Sequence, residues 1–287
     1  MARVFISSYF SSLDFSDWKH DFETDECYIQ KFSRYDNIRV QVSIDSLSEI
    51  TIRLNNLTTN VITPITLTPL GTKDGYDISF FQITDQEEGC YRIEVLNNFD
   101  EIISYSNYSI LPRESLENTV RLRYTHRINE FDVYFYNEET QYSFDFRVEG
   151  GFLYGEMQFP ISNNSFRNQR YENIQLSASP YEVHTLTIGT GSGVPVWAAR
   201  KANLIFSLSD VAVNGVPYVR SESSEPEITE LGSDYPLYVI KIALEPTEFY
   251  SYYNKEYPYT YFVLGTEDNN ILGTEDLKAL VVQNYQN

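Results

Sequence analysis

From Ile38 to Ile44 every second residue is a branched aliphatic (Ile38, Val40, Val42, Ile44), and Arg39, Gln41 and Ser43 fill the positions between. A period of two places alternate side chains on opposite faces of an extended chain, so this stretch buries one side as a strand and cannot do so as a helix. The same reading predicts strands at 50–54, 62–67, 76–83, 91–96 and 102–110. Asn55-Asn56, Lys73-Asp74-Gly75, Glu87-Glu88-Gly89 and Asn97-Asn98 supply the turns between them. Short strands at this spacing predict a β-sandwich. Gly89-Cys90-Tyr91 has the placement of a late immunoglobulin-like strand, in which a tyrosine anchors a corner. The 24 Tyr and 18 Phe, set against 2 Met and 2 Trp, favour strands further.

Pro112 to Asn118 interrupts two alternating segments and is the expected boundary between two domains, 1–112 and 113–287. The first begins with an aromatic arm (Phe10, Phe15, Trp18, Phe22, Tyr28) that packs on a neighbour or forms the domain's first strands. The second is predicted to have strands at 120–128, 131–136, 142–148, 182–188, 237–244 and 259–264. An irregular loop is expected near 162–173 and an acidic loop from Ser221 to Glu227. Asn214-Gly215 between apolar runs marks a hairpin tip. The expected fold is mainly β: two β-sandwich domains, immunoglobulin-like or jelly-roll-like, with one short helix near 195–208.

That helix follows Gly189-Thr190-Gly191-Ser192-Gly193-Val194-Pro195. A glycine-rich turn opening a helix can hold a phosphate on its backbone N–H groups. Here the spacing fits neither the dinucleotide fingerprint nor the Gly-Lys-Ser/Thr ending of a P-loop, and Pro195 suits a helix start. The turn is therefore read as structural, with Trp197, Leu204 and Leu208 as the helix's core-facing line and with Arg200 and Lys201 solvated or paired.

Catalytic chemistry finds little footing. His20, His126 and His184 are isolated from one another, with no second ligand at metal spacing. No nucleophile elbow is present. The acids lie in turn-like segments such as Glu138-Glu139 and Glu267-Asp268, so no pair stands out as a glycosidase dyad. No enzyme activity, cofactor or metal is expected. The net charge of −20 is spread along the chain, with 8 basic and 17 acidic residues up to 112 and 13 and 24 beyond. Such a field opposes direct binding to nucleic-acid phosphates. No run approaches the ~20 apolar residues of a membrane span. The first residues lack the apolar core of a secretion signal, so synthesis in a cytoplasm without membrane insertion is expected.

Two features point to contacts with other molecules. Alternation puts Arg121, Arg123 and Arg127 on one strand face, able to dock on an acidic neighbour or to pair with acids of their own sheet. Tyr250, Tyr252, Tyr253, Tyr257, Tyr259 and Tyr261 form a dense aromatic stretch suited to covering a core, to a protein interface or to stacking on sugars.

Arg147-Val148-Glu149-Gly150-Gly151-Phe152, Leu186-Thr187-Ile188-Gly189, Gly193 to Trp197, and Val213-Asn214-Gly215 with Tyr218 follow one another in order. Together they resemble uncharacterised tail-region virion proteins of bacteriophages and prophages of gut Bacteroidetes, over roughly 145–220. The resemblance implies a virion component of the tail or head-to-tail region, built of β domains and present as a ring of copies. Its expected partners are other virion proteins and copies of itself, and the arginine face and tyrosine stretch are the expected contacts. The alternative is a carbohydrate-binding, host-recognising β module with a host glycan as ligand.

Overall fold

The computed structural model describes residues 4–6, 10–15, 28–45, 49–129, 133–137, 140–167, 169–222, 225–231 and 237–247. Its first half contains β1 (Val4–Ile6), β2 (Gln30–Phe32), β3 (Ile38–Asp45), β4 (Thr51–Asn56), β5 (Val61–Ile65), β6 (Thr68–Lys73), β7 (Tyr76–Ile83), β8 (Gly89–Leu96) and β9 (Ile102–Ile110). They form a four-stranded sheet in the order β1-β3-β7-β6 and a five-stranded sheet in the order β2-β9-β8-β4-β5. The alternation in β3 sends Ile38, Val40 and Val42 into the core, where they meet Phe81 of the same sheet and Ile52, Ile93, Val95 and Tyr108 of the other. Tyr91 stacks on Tyr108 with ring centres 5.3 Å apart, and its hydroxyl donates to the Glu87 carbonyl at 2.8 Å.

After a 3-10 turn at Arg113–Leu116 come β10 (Thr119–Thr125), β11 (Tyr136–Asn137), β12 (Thr140–Gln141), β13 (Phe144–Gln158), β14 (Ile161–Arg167), β15 (Asn173–Pro180), β16 (Val183–Ile188) and β17 (Val194–Pro195). The helix α1 (Val196–Ile205) follows, then β18 (Asp210–Val213), β19 (Val216–Arg220), β20 (Glu227–Glu230) and β21 (Leu237–Pro246). Where a second sandwich was expected, β16, β13, β10, β18, β19 and β21 pair in turn, and β21 returns to β16 to close a six-stranded barrel. Closure leaves these strands without a free edge along their shared length. Val120, Leu122, Tyr124, Phe144, Phe146, Leu186, Ile188, Ile240 and Ile242 share its core. Asn214 and Gly215 both have positive φ (50° and 89°) at the β18–β19 tip, the conformation that an Asn-Gly hairpin turn requires.

The helix buries Ala198, Ala199, Ala202 and Ile205, leaving Trp197 and Leu204 half-buried. The expected line of Trp197, Leu204 and Leu208 does pack on this core, with Leu208 buried and the other two partly so, and the small residues beside it are buried more deeply. Lys201, expected at the surface or in a pair, is 1% exposed. Its ammonium donates to the Ser11 carbonyl and lies 4.8 Å from the centre of the Phe146 ring. Burial pulls its pKa down to about 8, against the upward pull of Asp14.

Residues 10–15 run as a buried strap without regular structure. Phe10 belongs to the barrel core, and Leu13 and Phe15 belong to the core between the two sheets. A buried backbone outside helix or sheet needs partners for its polar groups. Here Tyr124 donates to the Phe10 carbonyl at 2.9 Å, Gln30 donates to the Ser12 carbonyl at 3.1 Å, and the Ser12 N–H donates to Arg39 at 2.8 Å. The chain's internal contacts group Met1–Glu248 as one unit and Phe249–Asn287 as another, the latter wholly beyond the described residues.

Candidate assembly surface

The arginine face is present in part: the strand ends at Thr125, so Arg121 and Arg123 lie on it and Arg127 falls beyond its end. Val120, Leu122 and Tyr124 point inward, and Arg121 and Arg123 lie on the other face of β10. Register places Arg123 opposite Asp145, and its guanidinium forms a two-point bridge to that carboxylate, both bonds 2.8 Å. That hydrogen bond raises the Arg123 pKa further, even against burial. Arg121 lies 3.9 Å from buried Asp36, and exposed Arg127 lies 3.7 Å from Asp210. The three cations therefore face acids of their own chain. Tyr250, Tyr252, Tyr253, Tyr257, Tyr259 and Tyr261 lie outside the described residues, as do the expected strand at 259–264 and His20.

The buried carboxylates among the described residues, Asp36, Glu94 and Asp145, each bind an arginine: Arg147, Arg53 and Arg123. No group of three His, Cys, Asp or Glu side chains among the described residues is placed to hold a metal ion. His126 accepts the Ser209 N–H at 3.0 Å, and His184 sits 3.0 Å from the Tyr218 hydroxyl and 3.3 Å from Glu182. In the glycine turn, a Cβ on Gly189 would fall 2.4 Å from the Tyr238 carbonyl, and one on Gly193 would fall 2.7 Å from the Leu237 Cβ. With φ of 86° and 83°, these two glycines let the turn lie directly against β21.

One cleft combines aromatic and polar walls: Tyr28, Tyr105 and Trp197 with Gln30, Ser106 and Asn107. It holds about 30 Å³, and the buried Ser106 hydroxyl has no partner among the described residues. A void of this size and polarity accommodates water.

The most conspicuous surface lies where an irregular loop was expected. β14 and β15 form an antiparallel ribbon whose described side chains are all exposed, on both faces. The ribbon continues the β13–β16 pair, with the Tyr181 N–H donating to the Pro160 carbonyl at its base. Phe166 stands opposite Ile174 and Ile161 opposite Pro180, and Leu176 is 63% exposed. A two-stranded ribbon alone is marginal in water, and exposed apolar side chains on one make it a candidate contact surface. Both outer edges of the ribbon are unpaired among the described strands. Between Met157 and Tyr181 the charged residues are Arg167, Arg170 and Glu172, which makes this segment a cationic island in a strongly acidic chain.

The acidic edge lies elsewhere. β20 pairs with β21 on one side only among the described strands, and all four of its residues are exposed. From Ser221 to Tyr235 the chain carries Glu222, Glu225, Glu227, Glu230 and Asp234 and no basic residue. Ile228, at 61% exposure, and Leu231 add apolar surface among these acids.

No protein-family model matches this chain, and no curated protein matches it significantly.

Proposed function

We propose that this chain is a structural protein of a bacteriophage virion, placed in the tail or head-to-tail region, where copies meet in a symmetric ring through protein–protein contacts. The observation that carries the reading is the β14–β15 ribbon, solvated on both faces yet bearing Phe166, Ile174 and Leu176. A closed barrel gives such a ribbon a rigid base, and a projecting element on a rigid base suits repeated docking of identical subunits. The motif resemblance over 145–220 covers the strands that carry this ribbon. We read the first half as an immunoglobulin-like sandwich, supported by two sheets sharing one core and by the Tyr91-to-Glu87 corner. The protein acts by contact and not by catalysis. Its partners are copies of itself and other virion proteins, and the tyrosines of 250–261 are proposed as further contacts on their sequence alone.

Mass spectrometry of particles purified from a culture carrying the gene tests this. The chain is expected in the particles at a fixed stoichiometry. A version with 162–179 replaced by a short Gly-Ser turn should fold yet be missing from them. Its absence from intact particles in unaltered form would refute the assignment.

A carbohydrate-binding module is the second reading, resting on the tyrosines of 250–261 as stacking platforms. Glycan-array binding that is lost when Tyr257, Tyr259 and Tyr261 are replaced by Ala would promote it.

A further inference from the structure

The geometry points to one specific partner for the ribbon: the β20 edge of a second copy of this chain, so that β14–β15 of each subunit docks against Glu227–Glu230 of the next. This rests on the assembly reading and names the surfaces that meet. Three observations converge on it. First, the ribbon and β20 both offer unpaired strand edges among the described strands, and edge-to-edge addition satisfies their backbone N–H and C=O groups. Second, the charges are opposite. The ribbon holds Arg167 and Arg170 against one acid, and the segment around β20 holds Glu222, Glu225, Glu227 and Glu230 with no base. Third, each side carries exposed apolar groups, Phe166, Ile174 and Leu176 on the ribbon and Ile228 and Leu231 beside the acids, which supply the burial that charge pairing lacks.

Why a second copy, and not the same molecule? The ribbon's side chains are all exposed and so are those of β20, so the two do not cover each other within one chain. Two different patches that complement each other make a head-to-tail contact. Such contacts close into rings when the rotation permits and run on as filaments when it does not.

A charge exchange in trans tests the contact. One variant carries Arg167→Glu and Arg170→Glu, and the other carries Glu227→Lys and Glu230→Lys. All four side chains are exposed, so both variants should melt with the unaltered protein. In sedimentation velocity the unaltered chain is expected to self-associate, and each variant alone should lose that association because like charges meet. An equimolar mixture should recover it, since the lysine-bearing edge accepts the acidic ribbon and the basic ribbon accepts the acidic edge. A mixture that stays dissociated while the unaltered chain assembles would overturn this contact and leave the assembly reading standing. An unaltered chain that never associates would overturn both. A photo-crosslinking phenylalanine analogue at 166 gives a readout that leaves every charge in place. Crosslinks to 225–231 of another copy are expected, and crosslinks confined to other segments would sink the assignment.

Discussion

Asp36, in the turn before β3, and Arg147, in the middle of β13, are joined by hydrogen bonds of 2.6 and 2.8 Å across 111 positions of sequence. Arg147 also donates to the Thr119 hydroxyl at 3.0 Å, and the Asp36 carboxylate accepts the Ser33 N–H at 2.8 Å. Beside this pair, the Asn37 N–H donates to Asp145 at 2.7 Å, and Gln41 bonds both the N–H and the carbonyl of Tyr134. Together these bonds fasten the two-sheet half to the barrel, with the Asp36–Arg147 pair buried and the bonds of Asn37 and Gln41 partly so.

Removing one partner of such a buried pair strands the other. Asp36→Ala should therefore lower unfolding stability by about 3–5 kcal/mol in urea titration. Asp36→Leu combined with Arg147→Met should recover much of that loss. A single-variant effect below about 1 kcal/mol would show that the pair does not tie the halves together.

The glycine turn makes an ordered prediction. Gly189→Ala places a methyl group against the Tyr238 carbonyl, whereas Gly191→Ala, at φ 95°, meets nothing within 4 Å. Strain alone should cost about 1–2 kcal/mol at Gly191. Gly189→Ala should cost clearly more, because β21 must move as well. Equal thermal shifts for the two variants would contradict the close-packing role.

Lys201 links stability to pH with a definite sign. Burial lowers its folded pKa from the ordinary 10.5 to about 8, so between these values the unfolded chain holds a proton that the folded chain has released. Stability contributed by this group rises with pH through that window, by at most about 1.4 kcal/mol per pH unit. Buried Tyr124 and Tyr28, whose pKa values burial raises, oppose the trend above pH 10. Comparing Lys201→Met with the unaltered protein isolates the lysine. The stability difference between them should shift in favour of the unaltered chain from pH 8 to 10, and a pH-independent difference would contradict it.

On the ribbon, Phe166→Ser and Leu176→Ser should leave unfolding stability within about 0.5 kcal/mol, since both side chains are already in water. The same changes should weaken self-association. A large drop in melting temperature would mean that these side chains pack within the fold.

Much of the frame was legible from residues alone. Alternation located β3, β7 and β9, and Asn214-Gly215 located the β18–β19 tip. Barrel closure was not legible, because periodicity tells which side of β16 is buried and not that β21, more than fifty residues on, lies beside it. The ribbon escaped for a related reason. Solvated on both faces, Ser162, Asn163, Asn164 and Ser165 carry no burial pattern to write a period of two. A usable signal was present in the charges: from Met157 to Tyr171 this acidic chain has no acidic residue. Lys201 misled because a lysine on a helix ordinarily reads as solvated, while the strap carbonyl that receives it lies 190 positions away.

The proposed self-contact runs through the β14–β15 ribbon. Sedimentation velocity over a wide concentration range, on the full chain and on the version with 162–179 shortened to a turn, separates the outcomes. Discrete oligomers that grow with concentration are expected for the full chain, and a monomer throughout for the shortened one. Indistinguishable profiles for the two would refute the contact.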